Sequence, residues 1–142
     1  MSSVVELVTA RAAALLVGAT AAGSNVFRAR EDAISRDVTP AIVVAVEAGP
    51  VRRMGNFTDV HEGRLALKIF CRGDPWDATA NGIDAAAHKA LVGDATLLGY
   101  GGDLRRTDTL YESQEADRTS GVLTALYTLT YLAKAADVAA NP

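Results

Sequence analysis

The residues on which chemistry would draw first are few: two histidines, one cysteine and two pairs of arginines in a chain of 142 residues. A metal centre needs three or four converging His, Cys or carboxylate ligands, and neither His61 nor His88 has a second ligand at metal-binding spacing. His61 falls in an expected loop and His88 on an expected helix, so no metal is expected. Cys71 sits inside an alternating apolar run, mid-strand rather than at a helix N-terminus that would activate its thiol, so a buried, inert thiol is expected. As a single cysteine it also rules out an internal disulfide. No G-x-S-x-G elbow is present. Gly99-Tyr100-Gly101-Gly102 has the composition of a phosphate loop but leads into an expected strand rather than a helix, so it reads as a tight turn. Asn56-Phe57-Thr58 is a glycosylation acceptor that matters only to a secreted chain. Neither catalysis nor a cofactor is expected.

What remains is Arg52-Arg53 and Arg105-Arg106. Each pair reads either as solvated surface charge or as a contact with an acidic partner subunit or passing nucleic acid. The chain carries 14 basic and 17 acidic side chains, a formal charge of −3. Nothing in that balance forecasts a broad basic face for duplex binding.

The elements that must position these residues follow from periodicity. Val5, Val8, Ala12, Leu15, Leu16 and Ala19 recur at helical spacing behind a Ser2 or Ser3 cap, and Gly23 is the expected stop. Glu6 and Arg11 leave this segment without the basic start and continuous apolar run of a signal peptide, and no run approaches the ~20 residues that span a membrane. A chain that stays in the cytoplasm where it is made, away from membranes, is therefore expected.

A short extended piece, Val26 to Arg30, precedes AIVVAVEAG, whose continuous β-branched character predicts a central strand covered on both faces. Gly49 to Gly63 reads as a loop that in part extends the flanking strands. RLALKIFCR then alternates, with Leu65, Leu67, Ile69 and Cys71 on one face. GDPWDA opens a second helix, capped by Asp74 with Pro75 in its first position; Ile83, Ala87 and Ala90 or Leu91 form its stripe, and Gly93 ends it. A strand from about Leu104 to Glu112, a turn through Gln114 to Gly121 and a last strand over GVLTALYTLTYLA complete the order. In that last strand Leu123, Ala125, Tyr127, Leu129, Tyr131 and Ala133 share one face. Val122, Thr124, Leu126, Thr128, Thr130 and Leu132 share the other, so it belongs inside a sheet. The expectation is one α+β (α/β) domain over 1–142, with a mostly antiparallel or mixed sheet packed by two helices and a fraying tail at 134–142.

Three texts carry a resemblance: RDVTPAIVVAVEAG from Arg36 to Gly49, RLALKIFCRGD followed by a helix, and YESQEADRTSGVLTALYTLTYLA from Tyr111 to Ala133. In order and pattern, over nearly the whole chain, they resemble the tail terminator proteins of long-tailed bacteriophages, the minor tail protein U-like family. The chain departs from that pattern in a longer apolar N-terminal helix and in the glycines from Gly99 to Gly102. The resemblance implies a hexameric ring of this chain on the last ring of the tail tube. That ring stops tube polymerisation and offers a head-joining surface, by binding rather than turnover. It implies a place at the head-proximal end of the virion tail after assembly in the host cytoplasm. The implied partners are other copies of itself, the major tail tube protein and head–tail connector or neck proteins, with DNA only as cargo passing through the lumen.

Within the stretch Gly49 to Val60, the expected contacts are Arg52, Arg53, Met54 and Phe57, because Met54 and Phe57 are too apolar for a merely solvated connection. Arg105 and Arg106 complete the expected interface. The rival readings are a head–tail connector or tail-completion protein, and a small ligand-binding domain or enzyme, which would require a pocket with converging polar groups.

Overall fold

Alternation of apolar and polar residues from Thr58 to Arg72 and again through the last strand produces the two longest strands. Their pairing organises everything else. The computed structural model describes residues 4–28, 39–47, 49–55, 57–73, 75–101, 103–114 and 117–134. In chain order these form α1 (Val4–Leu16), β1 (Val26–Arg28), β2 (Ala41–Glu47), β3 (Val51–Met54), β4 (Thr58–Arg72), α2 (Trp76–Val92), α3 (Ala95–Gly101), β5 (Asp103–Gln114) and β6 (Asp117–Lys134).

The six-stranded sheet runs β1-β2-β4-β6-β5, with β3 paired to β4. Among the described residues β1 and β2 pair in parallel and the other pairings are antiparallel. The expected α+β class is thus the observed one.

β4 pairs with β6 without interruption from Thr58 opposite Lys134 to Arg72 opposite Ser120. Because side chains alternate across a sheet, this register sets Leu65, Leu67, Ile69 and Cys71 on the same face as Leu123, Ala125, Tyr127, Leu129 and Tyr131. All nine are buried. They join Val4, Val8, Ala12 and Leu16 of α1 and Ala80, Ile83, Ala87 and Leu91 of α2 in one core. α1 lies over β1 and β2, α2 over β4 and β6, and α3 over β6 and β5. These three helices therefore cover a single face of the sheet. On the opposite face Val122, Thr124, Leu126, Thr128 and Thr130 are half-buried.

Several sequence expectations are corrected by this arrangement. β2 is buried at its first four residues, but it is a flanking strand beside β1, and β4 holds the centre. The helix layer covers one face of it, since Ile42 and Val44 join the core shared with α1 while Val43 does not. Continuous β-branched sequence reports burial of that strand, and it cannot report rank within a sheet. The first helix ends at Leu16, before the expected stop at Gly23, so Ala19 lies beyond it. There Gly18 adopts φ +76° and donates its N–H to the Gly23 carbonyl at 2.9 Å. The expected loop containing His61 is a hairpin of β3 and β4. Ser120 and Gly121, expected in a turn, pair with Arg72 and Cys71 inside β6.

Pro75 occupies the N-cap position of α2, one residue before its expected place. Leu91, rather than the half-buried Ala90, completes the buried stripe of α2, and Gly93 closes the helix as expected. The Ser2 or Ser3 cap, the Asp74 cap, the side chain of Asn56, the segment 29–38 and the tail from 135 lie outside the described residues.

α3 was not expected at all. The glycines stand just before an expected strand, which is the ground of the tight-turn reading, and they have poor helix propensity, but Asp94 supplies what propensity lacks. Its carboxylate accepts the Leu97 N–H at 2.7 Å and holds Arg11 of α1 through two hydrogen bonds at 2.8 and 3.0 Å. Tertiary ion pairing thus fixes a helix start that local sequence does not announce.

Two glycines are required by close approach. β2 and β3 lie end to end along the same side of β4, Glu47 opposite Arg64 and Val51 opposite His61. Between them Gly49 takes φ +65°, and a Cβ there would collide with the Glu62 carbonyl. This lets the Glu62 N–H reach the Pro50 carbonyl at 2.9 Å and the ladder resume. At Gly121 the Trp76 ring occupies the space a Cβ would fill, which docks the start of α2 on β6.

Gly121→Ala is expected to push the Trp76 ring out of its seat, lowering stability by about 1–3 kcal/mol as overpacking does. A red shift of the single tryptophan's emission with a lower denaturation midpoint checks it. Arg11, and secondarily the Leu97 N–H, hold the Asp94 carboxyl below its ordinary pKa. A lowered folded value contributes stability above the unfolded pKa that is lost as pH falls through the folded one. Asp94→Asn should therefore be less stable than the native chain at pH 7, and the difference in denaturation midpoint should shrink as pH falls below the ordinary aspartate range.

Candidate interaction surfaces

The polar side chains that converge most closely lie between α2 and the β5–β6 pair. Tyr127 is fully buried on the helix-covered face, and a buried phenol needs partners for its hydroxyl. His88 Nδ1 lies 2.9 Å from that oxygen and Arg106 Nη2 donates to it at 3.1 Å. The Arg106 guanidinium stands 4.8 Å from the centre of the Tyr127 ring, pairs with Asp84 and donates to Thr109 at 2.8 Å. Burial raises the Tyr127 pKa, with Arg106 opposing. Burial likewise works against the Arg106 charge, but the bonds to Asp84 and Tyr127 hold its pKa above the ordinary value.

Asp84, Ala85, His88 and Arg106 line an open cavity of about 270 Å³. With the exception of Arg106 Nε, which has no partner, the charged groups here bond to one another. The arrangement braces α2 and β5 against β6.

Arg106 is thereby committed inside the chain, while Arg105, its neighbour in β5, faces the opposite side of the sheet and is exposed. The second expected arginine pair is therefore split by strand alternation and does not form one patch. Arg52, Arg53, Met54 and Phe57 do come together, on the hairpin formed by β3 and the start of β4. Every residue of β3 is exposed. Phe57 at its turn is 80% exposed, with Met54 at 51% and Val51 at 52%. Arg53 donates to Asp59 at 2.6 Å, and Arg52 approaches Glu62 at 4.0 Å.

The hairpin is anchored by His61, which is buried and stacked on Tyr131 with ring centres 4.8 Å apart. Neither imidazole nitrogen has a hydrogen-bond partner. The boundary role expected for His88 fits its half-buried position, but the loop placement expected for His61 does not.

A second surface, unforeseen from sequence, is the outer side of β5, which pairs with no strand among the described residues. From Asp108 to Ser113 this strand pairs regularly with β6 between two irregularities, at Arg106/Asp108 and Ser113/Gln114. Leu110 is 44% and Tyr111 53% exposed, and Asp108 and Glu112 are exposed as well. The Tyr111 hydroxyl donates to Asn81 of α2 at 2.7 Å. The signal was present in the sequence as an apolar pair flanked by carboxylates, but only the strand order makes it an edge. Near the first irregularity, Arg64, Thr107, Asp108 and Leu126 help line a shallow 350 Å³ depression on the face away from the helices. Among the described residues no group of three or more His, Cys, Asp or Glu could hold a metal ion, and no helix is long and apolar enough to cross a membrane.

The class defined by this geometry is an α+β domain with one helix-covered sheet face and two exposed strand edges. No family model matches the chain, and no curated protein matches it. Among solved structures it is similar to a chain in the virion of a native gene transfer agent particle. The two are 16% identical, the match covers 90% of each chain, and the TM-score is 0.50. At that identity the likeness is one of fold.

Tyr127→Phe removes the hydroxyl that joins His88 and Arg106 and leaves buried polar atoms without their partner. A loss of about 1–2 kcal/mol with unchanged secondary structure is expected, read from urea denaturation and far-ultraviolet circular dichroism.

Proposed function

We propose that this chain is a structural virion protein, a tail terminator that assembles as a hexameric ring on the end of a tail tube. The ring stops tube polymerisation and presents a surface for head joining. The observation that carries this reading is the β3–β4 hairpin, where Val51, Met54 and Phe57 stand exposed beside Arg52 and Arg53. An apolar projection of this kind marks a surface that associates. The fold shared over 90% of both chains with a component of a gene transfer agent virion supports a virion role. The sequence resemblance to tail terminators narrows it to the end of the tail. Binding is the whole mechanism: a heterologous contact repeated around a closed ring needs two complementary surfaces on one small subunit. The hairpin and the free edge of β5 are two such surfaces. Further partners on this reading are the major tail tube protein and the neck proteins, with DNA passing through the lumen.

Mixed with preassembled tail tubes and free tube subunits, the purified chain is expected to occupy one end of each tube and arrest elongation. Electron microscopy of tube lengths measures this. The variant carrying Arg52→Glu and Arg53→Glu should keep its circular dichroism spectrum and fail to cap. Capping by that variant would remove the hairpin arginines from the contact. A native chain that ignores tubes but binds the head's connector would favour a neck protein.

A further inference from the structure

The geometry points to a specific mode of self-association: β3 of one copy adds to the free edge of β5 of the next, in antiparallel register, with Arg52 opposite Glu112, Arg53 opposite Tyr111 and Met54 opposite Leu110. The proposal rests on the reading of the chain as a ring subunit only for closure of the resulting chain of contacts.

Strand direction carries the first part. β2 and β3 run antiparallel to β4, β6 is antiparallel to β4, and β5 is antiparallel to β6. β3 and β5 consequently run in opposite directions within one copy. A neighbour placed beside β5 by head-to-tail repetition, with its helices on the same side of the sheet, therefore presents β3 antiparallel to β5. Antiparallel pairing is the more favourable geometry, and the unpaired N–H and C=O groups of an edge strand are its template. Among the described residues no strand pairs with the outer side of either β3 or β5.

Side-chain faces carry the second part. Arg52 and Met54 lie opposite Val60 and Thr58, on the face away from the helices, while Val51 and Arg53 lie on the helix side. In β5, Leu110 and Glu112 pair with Thr124 and Val122 and so face away from the helices, while Tyr111 pairs with buried Leu123 on the helix side. In the stated register the faces agree at every position. A cation meets a carboxylate, methionine meets leucine, and a guanidinium, still bonded to Asp59, meets an exposed tyrosine ring. These are the cross-strand pairs that stabilise sheets.

Charge and apolar matching favour the mixed contact over the symmetric ones. Pairing β5 with a second β5 sets Asp108 against Glu112 twice about Leu110 and Leu110 against Glu112 twice about Tyr111, and face-matched pairing of β3 with itself sets Arg52 against Arg52 or Arg53 against Arg53. Like charges directly opposite are destabilising, so the contact is heterologous and propagates until it closes. Four paired residues bury less than a stable dimer needs. Association of the free chain is accordingly weak and tightens when a template holds the copies side by side.

Disulfide capture tests this with the full chain, because it records weak contacts. Two variants, Met54→Cys with Leu110→Cys and Val51→Cys with Ser113→Cys, sample the two kinds of antiparallel position, one of which has the closer spacing. The native Cys71 thiol is buried, and burial pushes its pKa up to about 11, so it stays out of the exchange. Under mild oxidation one variant should give a ladder of covalent oligomers ending at a limiting size. Adding Arg52→Glu or Glu112→Arg should reduce ladder yield by roughly three- to tenfold, and adding both should restore it. No cross-linking in either variant, cross-linking only to dimers, or no restoration by the double exchange would overturn the proposal. Tube capping by a chain that forms no ladder would sink this interface and leave the terminator reading standing. A ladder from a chain that caps no tube would do the reverse.

Discussion

The uninterrupted pairing of β4 with β6 is the constraint on which the rest of this structure depends. With a side-chain period of two, one residue of slippage would turn Leu65, Leu67 and Ile69, or Leu123, Tyr127 and Leu129, away from the helices. Three features pin the register. The core packs both sets of residues against α1 and α2. The Trp76 ring lies against Gly121, in the space a Cβ there would fill. His61 stacks on Tyr131 at the far end.

From that pairing follow the two kinds of surface. One sheet face is consumed by helices, and Tyr127 shows how fully: its hydroxyl, carried into the interior by register, draws His88 from α2 and Arg106 from β5 into a single brace. The strands extend past the helix layer at the hairpin, where β3 and its turn are exposed. The same long strands that build the core thus leave edges and an apolar tip for association. Under the proposed reading this economy serves a subunit that works by binding, since the core and the proposed contact surfaces are different parts of the same elements.

Much of the fold was legible. Alternation in RLALKIFCR named the buried face of β4, and the spacing of Ile83, Ala87 and Ala90 or Leu91 named that of α2 to within one residue, because burial on one side imposes a period on the order of residues. α3 was not legible, since its start depends on a carboxylate held by an arginine far away in the chain. Of the expected contact residues, Arg52, Arg53, Met54 and Phe57 gather on one hairpin. Arg105 and Arg106 part company because adjacent strand residues face opposite sides.

By itself the sequence determined which residues are apolar, with what period, and hence that helices would lie on a mostly antiparallel sheet. It also determined the apolar, arginine-flanked character of the stretch after Gly49. Only the tertiary structure decided that β4 is central and that Gly49 joins β2 and β3 into one line beside it. It alone decided that Arg106 is a brace, and that Leu110, Tyr111 and Glu112 lie on an edge. The reason is physical: periodicity is a local response to burial on one side, whereas strand order, edges and long-range ion pairs arise between segments distant in sequence, and no local pattern encodes which segments will meet.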